Sequence, residues 1–330
     1  MEGVAMRIPI VPASYFGIVL GLAGLGGVWR AATQAWQFPA VVGEAIMAAA
    51  VAVWAVLLVL YSLKWLVART DADGELLHPV QCCFIGLAGV ATMLAAWALA
   101  PHARVAAEII AVAGGGFTLG FAVWRTGGLW QGGRDPATTT AVLYLPTGAG
   151  SFVGANVAAA LGHADWGQML FGAGLLSAMA IESVLLHRLL TAPALAEALR
   201  PTLGIQIAPA TVGLSAYLSV WPGEPGLVAH MLLGYGLLQT LIMLRLLPWI
   251  AKAPFSPGYW AFTFGITALA AGPLRMMARG DSGPAAALAP VLFIFANLAV
   301  GLVALGTVWL LIRGRLNLKW SGAQIASEGK

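Results

Sequence analysis

Side chains that could act as nucleophiles, general bases or metal ligands are few in this sequence, and they do not cluster. The five histidines form no HExxH motif and no Ser/His/Asp or Cys/His grouping: they are His78, His102, His163, His187 and His230. Cys82 and Cys83 are adjacent within an apolar stretch, without the spacing of a metal site, and a vicinal pair rarely meets disulfide geometry. We therefore predict that the protein is not an enzyme and needs neither a metal ion nor another cofactor.

Two further features look functional but have structural interpretations. Gly148, Gly150 and Gly154 lie inside an apolar stretch rather than after a strand, so they favour close helix packing over a nucleotide-binding loop. Glu182 and Arg245 also fall near the ends of apolar stretches, where an ionisable group usually has a partner. We expect these two residues to form a structural ion pair; the alternative is a proton or substrate site.

The composition identifies the environment in which these residues work. Hydrophobic residues make up 60% of the 330 residues and charged residues only 9%, against roughly 25% charged residues in soluble proteins. Such a chain is a polytopic membrane protein, which excludes a soluble enzyme, a secreted disulfide scaffold and a disordered protein. The net charge of +4 does not indicate nucleic-acid binding, because the basic residues are dispersed over the ends of apolar segments.

The apolar segments predict an all-α fold with ten transmembrane helices. About 20 apolar residues cross a bilayer. Ten windows of this kind occur, at residues 12–29, 40–63, 79–100, 105–124, 140–161, 167–190, 202–220, 226–249, 258–278 and 285–312. The connections are too short for a second domain, so we expect one transmembrane channel domain over residues 1–320 and a short cytoplasmic tail over 321–330.

The basic residues predict the orientation. When the loops are assigned alternately to two sides, thirteen of the 17 basic residues fall on the side of the N-terminus, leaving Arg30, Arg104, Arg275 and Arg279 on the other. Because positive loops stay in the cytoplasm, both termini are expected there.

Recurrent prolines predict a repeated architecture. Pro12, Pro79, Pro146 and Pro209 fall in odd-numbered spans at intervals of 67, 67 and 63 residues, which is one helical hairpin per period. The ten predicted spans make five hairpins, each of which returns the chain to the same side of the membrane. Five parallel hairpins of this kind favour a quasi-fivefold ring around a central pore. The odd spans contain Gly, Pro and Phe and, apart from Arg275 near one end, no charged residue, so we predict that they form a neutral lumen.

Phe264 is the candidate for a pore gate. It precedes Gly265 on a predicted inner helix, and an aromatic ring in a narrow neutral lumen excludes water and ions. The other candidates for the pore lining are Phe16, Gly17, Phe84, Pro146, Phe152, Pro209, Phe262 and Gly265.

Five segments resemble the tellurite-resistance/dicarboxylate transporter family, which includes the plant guard-cell slow anion channel and fungal malate and sulfite exporters. They are residues 12–21 (PASYFGIVLG), 144–146, 203–209 (LGIQIAP), 234–249 (GYGLLQTLIMLRLLPW) and 259–265 (YWAFTFG). The resemblance implies a homotrimer in which each subunit has its own pore, with Phe264 at the position of the family's occluding phenylalanine. Ser151 departs from the asparagine that the family has before the fifth-span phenylalanine.

The sequence thus predicts an anion-selective channel of the bacterial inner membrane, surrounded by lipid, passing small inorganic or organic anions. The family name suggests a link to tellurite resistance. One alternative is a proton-coupled exporter of a C4-dicarboxylate, sulfite or tellurite, with Glu108 or Glu182 carrying the proton. A membrane sensor or scaffold is the other alternative.

Overall fold

A computed structural model describes residues 9–316 and 319–320, so the predicted tail at 321–330 lies outside the described residues. Eleven α-helices account for most of this part of the chain. They are α1 (Phe16–Trp36), α2 (Ala40–Val67), α3 (Arg69–Leu77), α4 (Leu87–Leu99), α5 (Arg104–Trp130), α6 (Gly150–Ala160), α7 (Ala164–Thr191), α8 (Ala208–Val220), α9 (Leu227–Ile250), α10 (Trp260–Met277) and α11 (Pro284–Ile312). Two short antiparallel strands, β1 (Pro9–Ile10) and β2 (Lys319–Trp320), bring the two ends of the described chain together.

The predicted all-α membrane fold class is confirmed. Eight helical segments in the described residues are long and apolar enough to cross a membrane. The fifth and ninth of the ten predicted spans are not among them: α6 has only 11 residues after a stretch of π-helix, and α10 carries Arg275 in its last turn. Arg275 lowers the mean hydropathy of α10, and α6 is short because a π-helix precedes it.

The long helices pack as five consecutive hairpins: α1 with α2, α4 with α5, α6 with α7, α8 with α9, and α10 with α11. The first member of each hairpin also contacts the first members of two others, in the cyclic order α1, α4, α6, α8, α10 and back to α1. The apolar windows that contain α1, α4 and α8 are 56–78% buried, whereas those of their partners and of α7 and α11 are 17–33% buried. Large exposed apolar side chains therefore lie on the second members, where lipid can cover them.

The recurrent prolines mark the beginnings of the first members. Pro12 precedes a 3₁₀ turn at Ala13–Tyr15, Pro146 lies in the π-helix Leu145–Ala149, and Pro209 lies in the first turn of α8. A proline is tolerated at a helix start because the first amides of a helix have no intrahelical acceptor. The helix α8 directly follows the 3₁₀-helix Glu197–Ile207, so Pro146 and Pro209 lie where a π- or 3₁₀-helix passes into an α-helix.

Small residues bring α1 and α10 into close contact. A Cβ atom added to Gly21 would overlap the hydroxyl of Thr263, and one added to Gly24 would overlap the hydroxyl of Thr267. Both threonines are fully buried. Such small residues let helix backbones approach closely in a membrane, where no hydrophobic force drives one helix onto another.

A buried ion pair fixes the start of α1. Glu75 on α3 accepts hydrogen bonds from the Lys64 ammonium (2.7 Å), the Tyr61 hydroxyl (3.1 Å) and the backbone N–H of Ala13 (2.8 Å). The Lys64 and Glu75 side chains are only 4% and 7% exposed. The short helix α3 thereby ties α2 to the 3₁₀ turn that precedes α1, where free amide groups attract a carboxylate.

We predict that Glu75→Gln lowers the free energy of unfolding by about 3–5 kcal/mol, because it leaves the Lys64 charge buried without its partner. Asp73→Asn is the matched control, since the Arg69–Asp73 pair lies on the same helix but is exposed. It should cost less than about 1 kcal/mol. Thermal unfolding of the detergent-solubilised protein measures both, and equal melting temperatures for the two variants would contradict the structural role of Glu75.

Candidate functional site

Two cavities lie along the axis enclosed by α1, α4, α6, α8 and α10. The narrow cavity has a volume of about 80 Å³ and is lined near the N-terminal ends of these helices, at residues such as Ser14, Thr202 and Pro257. The wide cavity has a volume of about 550 Å³ and is lined near their C-terminal ends, at residues such as Gln34, Ala160 and Arg279.

Phe264 lines both cavities, and Val212 of α8 is the only other lining residue that they share within residues 9–316. The ring lies against α1 at Gly24, where an added Cβ would be 3.2 Å from Phe264 Cδ2. A glycine here leaves space for the aromatic ring between two closely packed helices. The ring is only partly buried, as expected for a side chain with free volume on both sides.

The narrow cavity is lined mainly by apolar groups. Four of the predicted lining residues face it along with Phe264: these are Gly17, Phe84, Phe152 and Pro209. Phe152 and Phe84 come from α6 and from the 3₁₀ turn before α4, so aromatic rings approach the axis from three helices. An apolar surface of this size holds water weakly, since its lining offers few hydrogen bonds.

The other four predicted lining residues are placed in neither cavity. Phe16 packs edge-on against Tyr61 of α2, with ring centroids 5.6 Å apart. Phe262 is buried against Gly204, and Gly265 against Ile207, where an added Cβ would be 2.9 Å from Ile207 Cβ. Pro146 approaches Gly86, so it packs between neighbouring helices. Successive residues on a helix point about 100° apart, which is why neighbours of lining residues face away.

The expectation of a lumen without charge has to be corrected for the wide cavity. Arg30, Arg275 and Arg279 all line it. Arg30 was expected in a loop, but α1 continues to Trp36, seven residues past the predicted end of the span, because Trp and Ala residues extend the helix beyond its apolar window. Arg279 lies in the turn after α10, where burial lowers the pKa of its guanidinium.

The expected ion pair between Glu182 and Arg245 is also not what the structure has. Glu182 of α7 accepts hydrogen bonds from four neutral groups: the hydroxyls of Tyr144 and Tyr235 and the amides of Gln206 (2.8 Å) and Gln239 (3.2 Å). Arg245 is exposed. It follows Gln239 by six residues on α9, a spacing that puts the two side chains on different faces of the helix.

The fold is that of a polytopic helical membrane protein with cavities along its axis, and sequence comparison gives the class. Residues 11–308 match the family described as voltage-dependent anion channels, SLAC1. The chain is also 35% identical, over 310 residues, to a Haemophilus influenzae protein described as a tellurite resistance protein TehA homolog; the alignment covers 94% of this chain and 93% of that protein. The chain therefore belongs to the SLAC1 anion channel family, which confirms the predicted resemblance.

Sequence reasoning missed the polar residues of the wide cavity, above all Asn156, Ser215 and Ser219. A signal was present, since Ser215 and Ser219 are four residues apart, as are Arg275 and Arg279, and residues with this spacing share one face of a helix. Two such pairs on neighbouring helices indicate a polar contact.

We predict that Glu182→Ala lowers the melting temperature markedly, because it removes the shared acceptor of four donors, three of which belong to the buried side chains Tyr144, Gln206 and Gln239. Arg245→Gln should change it little, because Arg245 is exposed and does not contact Glu182. In a double-mutant cycle, measured by thermal unfolding in detergent, the coupling energy between the two sites should stay within about 0.5 kcal/mol. A coupling energy above about 1 kcal/mol would show that Glu182 and Arg245 interact as an ion pair.

Proposed function

We propose that this protein is an anion-selective channel in which the ring of Phe264 closes a pore formed by α1, α4, α6, α8 and α10. The observation that carries the proposal is the position of Phe264 as a shared wall of the two axial cavities. Membership of the anion channel family supports the class of transported ion. No enzymatic activity is part of the proposal.

The closure is steric and hydrophobic. An aromatic ring across an apolar passage removes the water through which an ion would move, and constrictions of this kind gate channels by dewetting. The ring can move aside by a change of χ1 and χ2, and an off-rotamer side chain costs only about 0.5–1.5 kcal/mol. A modest conformational force on α10 would therefore be enough to open the pore.

Selectivity follows from the two cavities in series. The wide cavity carries positive charge and attracts anions, while the narrow cavity offers few polar contacts to replace a hydration shell. An anion must lose part of its water to pass the narrow cavity, so the free energy of dehydration ranks the anions. Large, weakly hydrated monovalent anions should pass most easily.

The family supplies the remaining expectations. We expect a homotrimer with one pore in each subunit, located in the cell inner membrane with both termini in the cytoplasm. The related H. influenzae protein is described as a tellurite resistance protein, and we extend a link to tellurite resistance to this chain on that basis.

The alternative is a proton-coupled exporter of a C4-dicarboxylate, sulfite or tellurite. It requires a titratable carboxylate facing the substrate, and neither candidate lines a cavity. Glu108 lies on the outer helix α5 and pairs with Arg104 at 3.1 Å, and Tyr144 stands between Glu182 and the narrow cavity. These positions favour the channel.

Phe264→Ala should raise the resting anion conductance by about tenfold or more, because removal of a barrier of about 1.4 kcal/mol is already tenfold in rate. The measurement is current through purified protein in planar bilayers. Phe262→Ala is the matched control, since it makes the same change two residues earlier on α10 at a ring that faces Gly204. It should leave the resting conductance within about twofold.

If the Phe264→Ala protein assembles normally and its conductance does not exceed that of Phe262→Ala, Phe264 does not close the pore.

Anion substitution should give larger permeability for nitrate and iodide than for chloride, because the first two are less strongly hydrated. The order is read from reversal potentials of the Phe264→Ala channel. An imposed pH gradient should leave these potentials unchanged. Equal permeabilities would refute selection by dehydration, and a current that follows the pH gradient would favour the coupled exporter.

A further inference from the structure

Arg275 is held in the wide cavity by neutral partners. Its Nη1 donates to the backbone oxygen and to Oγ of Ser215, both at 2.9 Å, and its Nη2 donates to Ser219 Oγ at 2.9 Å. The two serine hydroxyls in turn donate to Asn156 Oδ1, at 3.1 and 2.7 Å. This network spans α6, α8 and α10 and fixes the guanidinium at the cavity wall.

The charge of Arg275 has no acidic partner in this cavity. No aspartate or glutamate is among the residues that line it, within the part of the chain that the structure describes. Arg279 donates to the backbone oxygens of Trp221 and Leu218, and it forms no salt bridge with another residue of the described ranges 9–316 and 319–320. Both guanidiniums are therefore paired with dipoles and not with charges.

Arg30, the third arginine of the cavity, is different. Its Nε and Nη2 bind the two oxygens of Glu44 at 2.7 and 2.8 Å, and Glu44 also contacts His102 at 2.9 Å. This bidentate pair neutralises Arg30. The excess positive charge in the wide cavity thus comes from Arg275 in the last turn of α10 and Arg279 just after it.

We propose that Arg275, positioned by Ser215, Ser219 and Asn156, is an anion-binding site in the wide cavity that concentrates small anions in front of Phe264. A buried charge ordinarily needs a counter-charge, and a mobile anion can supply it here. The site rests on the proposed channel function, for which it names the group that distinguishes anions from cations.

The geometry indicates the class of anion. Three contacts from the Arg275 guanidinium go to Ser215 and Ser219, and a guanidinium has five N–H groups, so N–H groups remain that can donate to an anion. A planar guanidinium with free N–H groups binds oxyanions in a bidentate manner. The cavity of about 550 Å³ has room for such an anion together with water. A small monovalent oxyanion such as nitrate fits this description, and a halide such as iodide can accept from the same N–H groups.

The test combines Arg275→Gln with the Phe264→Ala change, so that the pore is open when the site is measured. Glutamine can still donate a hydrogen bond to the serines but carries no charge. In planar bilayers we expect the nitrate concentration at half-maximal conductance to rise about fivefold or more, and the anion-to-cation permeability ratio to fall by a similar factor. Both effects should shrink at high ionic strength, where charge is screened.

Two controls distinguish the effect of charge in the wide cavity from the effect of charge elsewhere on the protein and from the effect of altered packing. Arg245→Gln in the same Phe264→Ala background removes the same charge from the exposed face of α9 and should change neither quantity. Arg275→Lys keeps the charge and should restore most of the permeability ratio. The proposal is overturned if Arg275→Gln behaves like Arg245→Gln.

A binding measurement tests the anion site at Arg275 independently of channel activity. Crystals of the otherwise unchanged protein soaked in iodide should show anomalous density beside the Arg275 guanidinium, and none there in Arg275→Gln. If Phe264→Ala carries no anion current, the channel proposal fails, and iodide density still decides the site: density at Arg275 supports it, and its absence overturns it.

Discussion

The structure depends on one close contact, that of the Phe264 ring with α1 at Gly24, where the helix has no side chain. Gly24 leaves the space that the ring occupies, and Gly21 and Gly24 let α1 approach Thr263 and Thr267 of α10. If these helices stood farther apart, a single benzyl group could not fill the gap between the two cavities. Close packing through small residues and obstruction by one large residue are therefore parts of the same arrangement.

The two cavities on either side of this contact differ in polarity, and each contributes differently to anion permeation. The narrow cavity is small and apolar, so an ion inside it loses hydration. The wide cavity holds guanidinium groups bound to neutral acceptors, so an anion inside it gains attraction. Placing the attraction beside the obstruction keeps anions near the narrowest point, where electrostatic focusing raises their local concentration.

Much of the fold could be predicted from the sequence, because a bilayer imposes simple rules. Helices must satisfy their own backbone groups, so apolar windows and recurrent prolines predict five hairpins and their order. The identity of the inner residues was harder to predict. Phe262 and Phe264 differ by two positions, and only the rotation of α10 against α8 decides that one is buried and the other faces the cavities.

The presence of Arg30 in the wide cavity could not be predicted from apolar windows, since α1 runs on to Trp36 and carries Arg30 with it. The partners of Glu182 were equally hidden, because Tyr144, Gln206 and Gln239 belong to three different segments that only packing brings together. Four neutral donors satisfy this carboxylate as an arginine would, and no sequence spacing encodes that choice. Long-range polar contacts of this kind can be identified only from the tertiary structure.

The claim that Phe264 divides the axis into two compartments is tested most directly by thiol accessibility. Ser14→Cys places a thiol in the narrow cavity and Gln34→Cys places one in the wide cavity, while the native Cys82 and Cys83 are fully buried. In vesicles of known orientation, a membrane-impermeant anionic thiol reagent should modify each cysteine from one face only, and the two from opposite faces. Modification of either cysteine from both faces while Phe264 is intact would contradict the account.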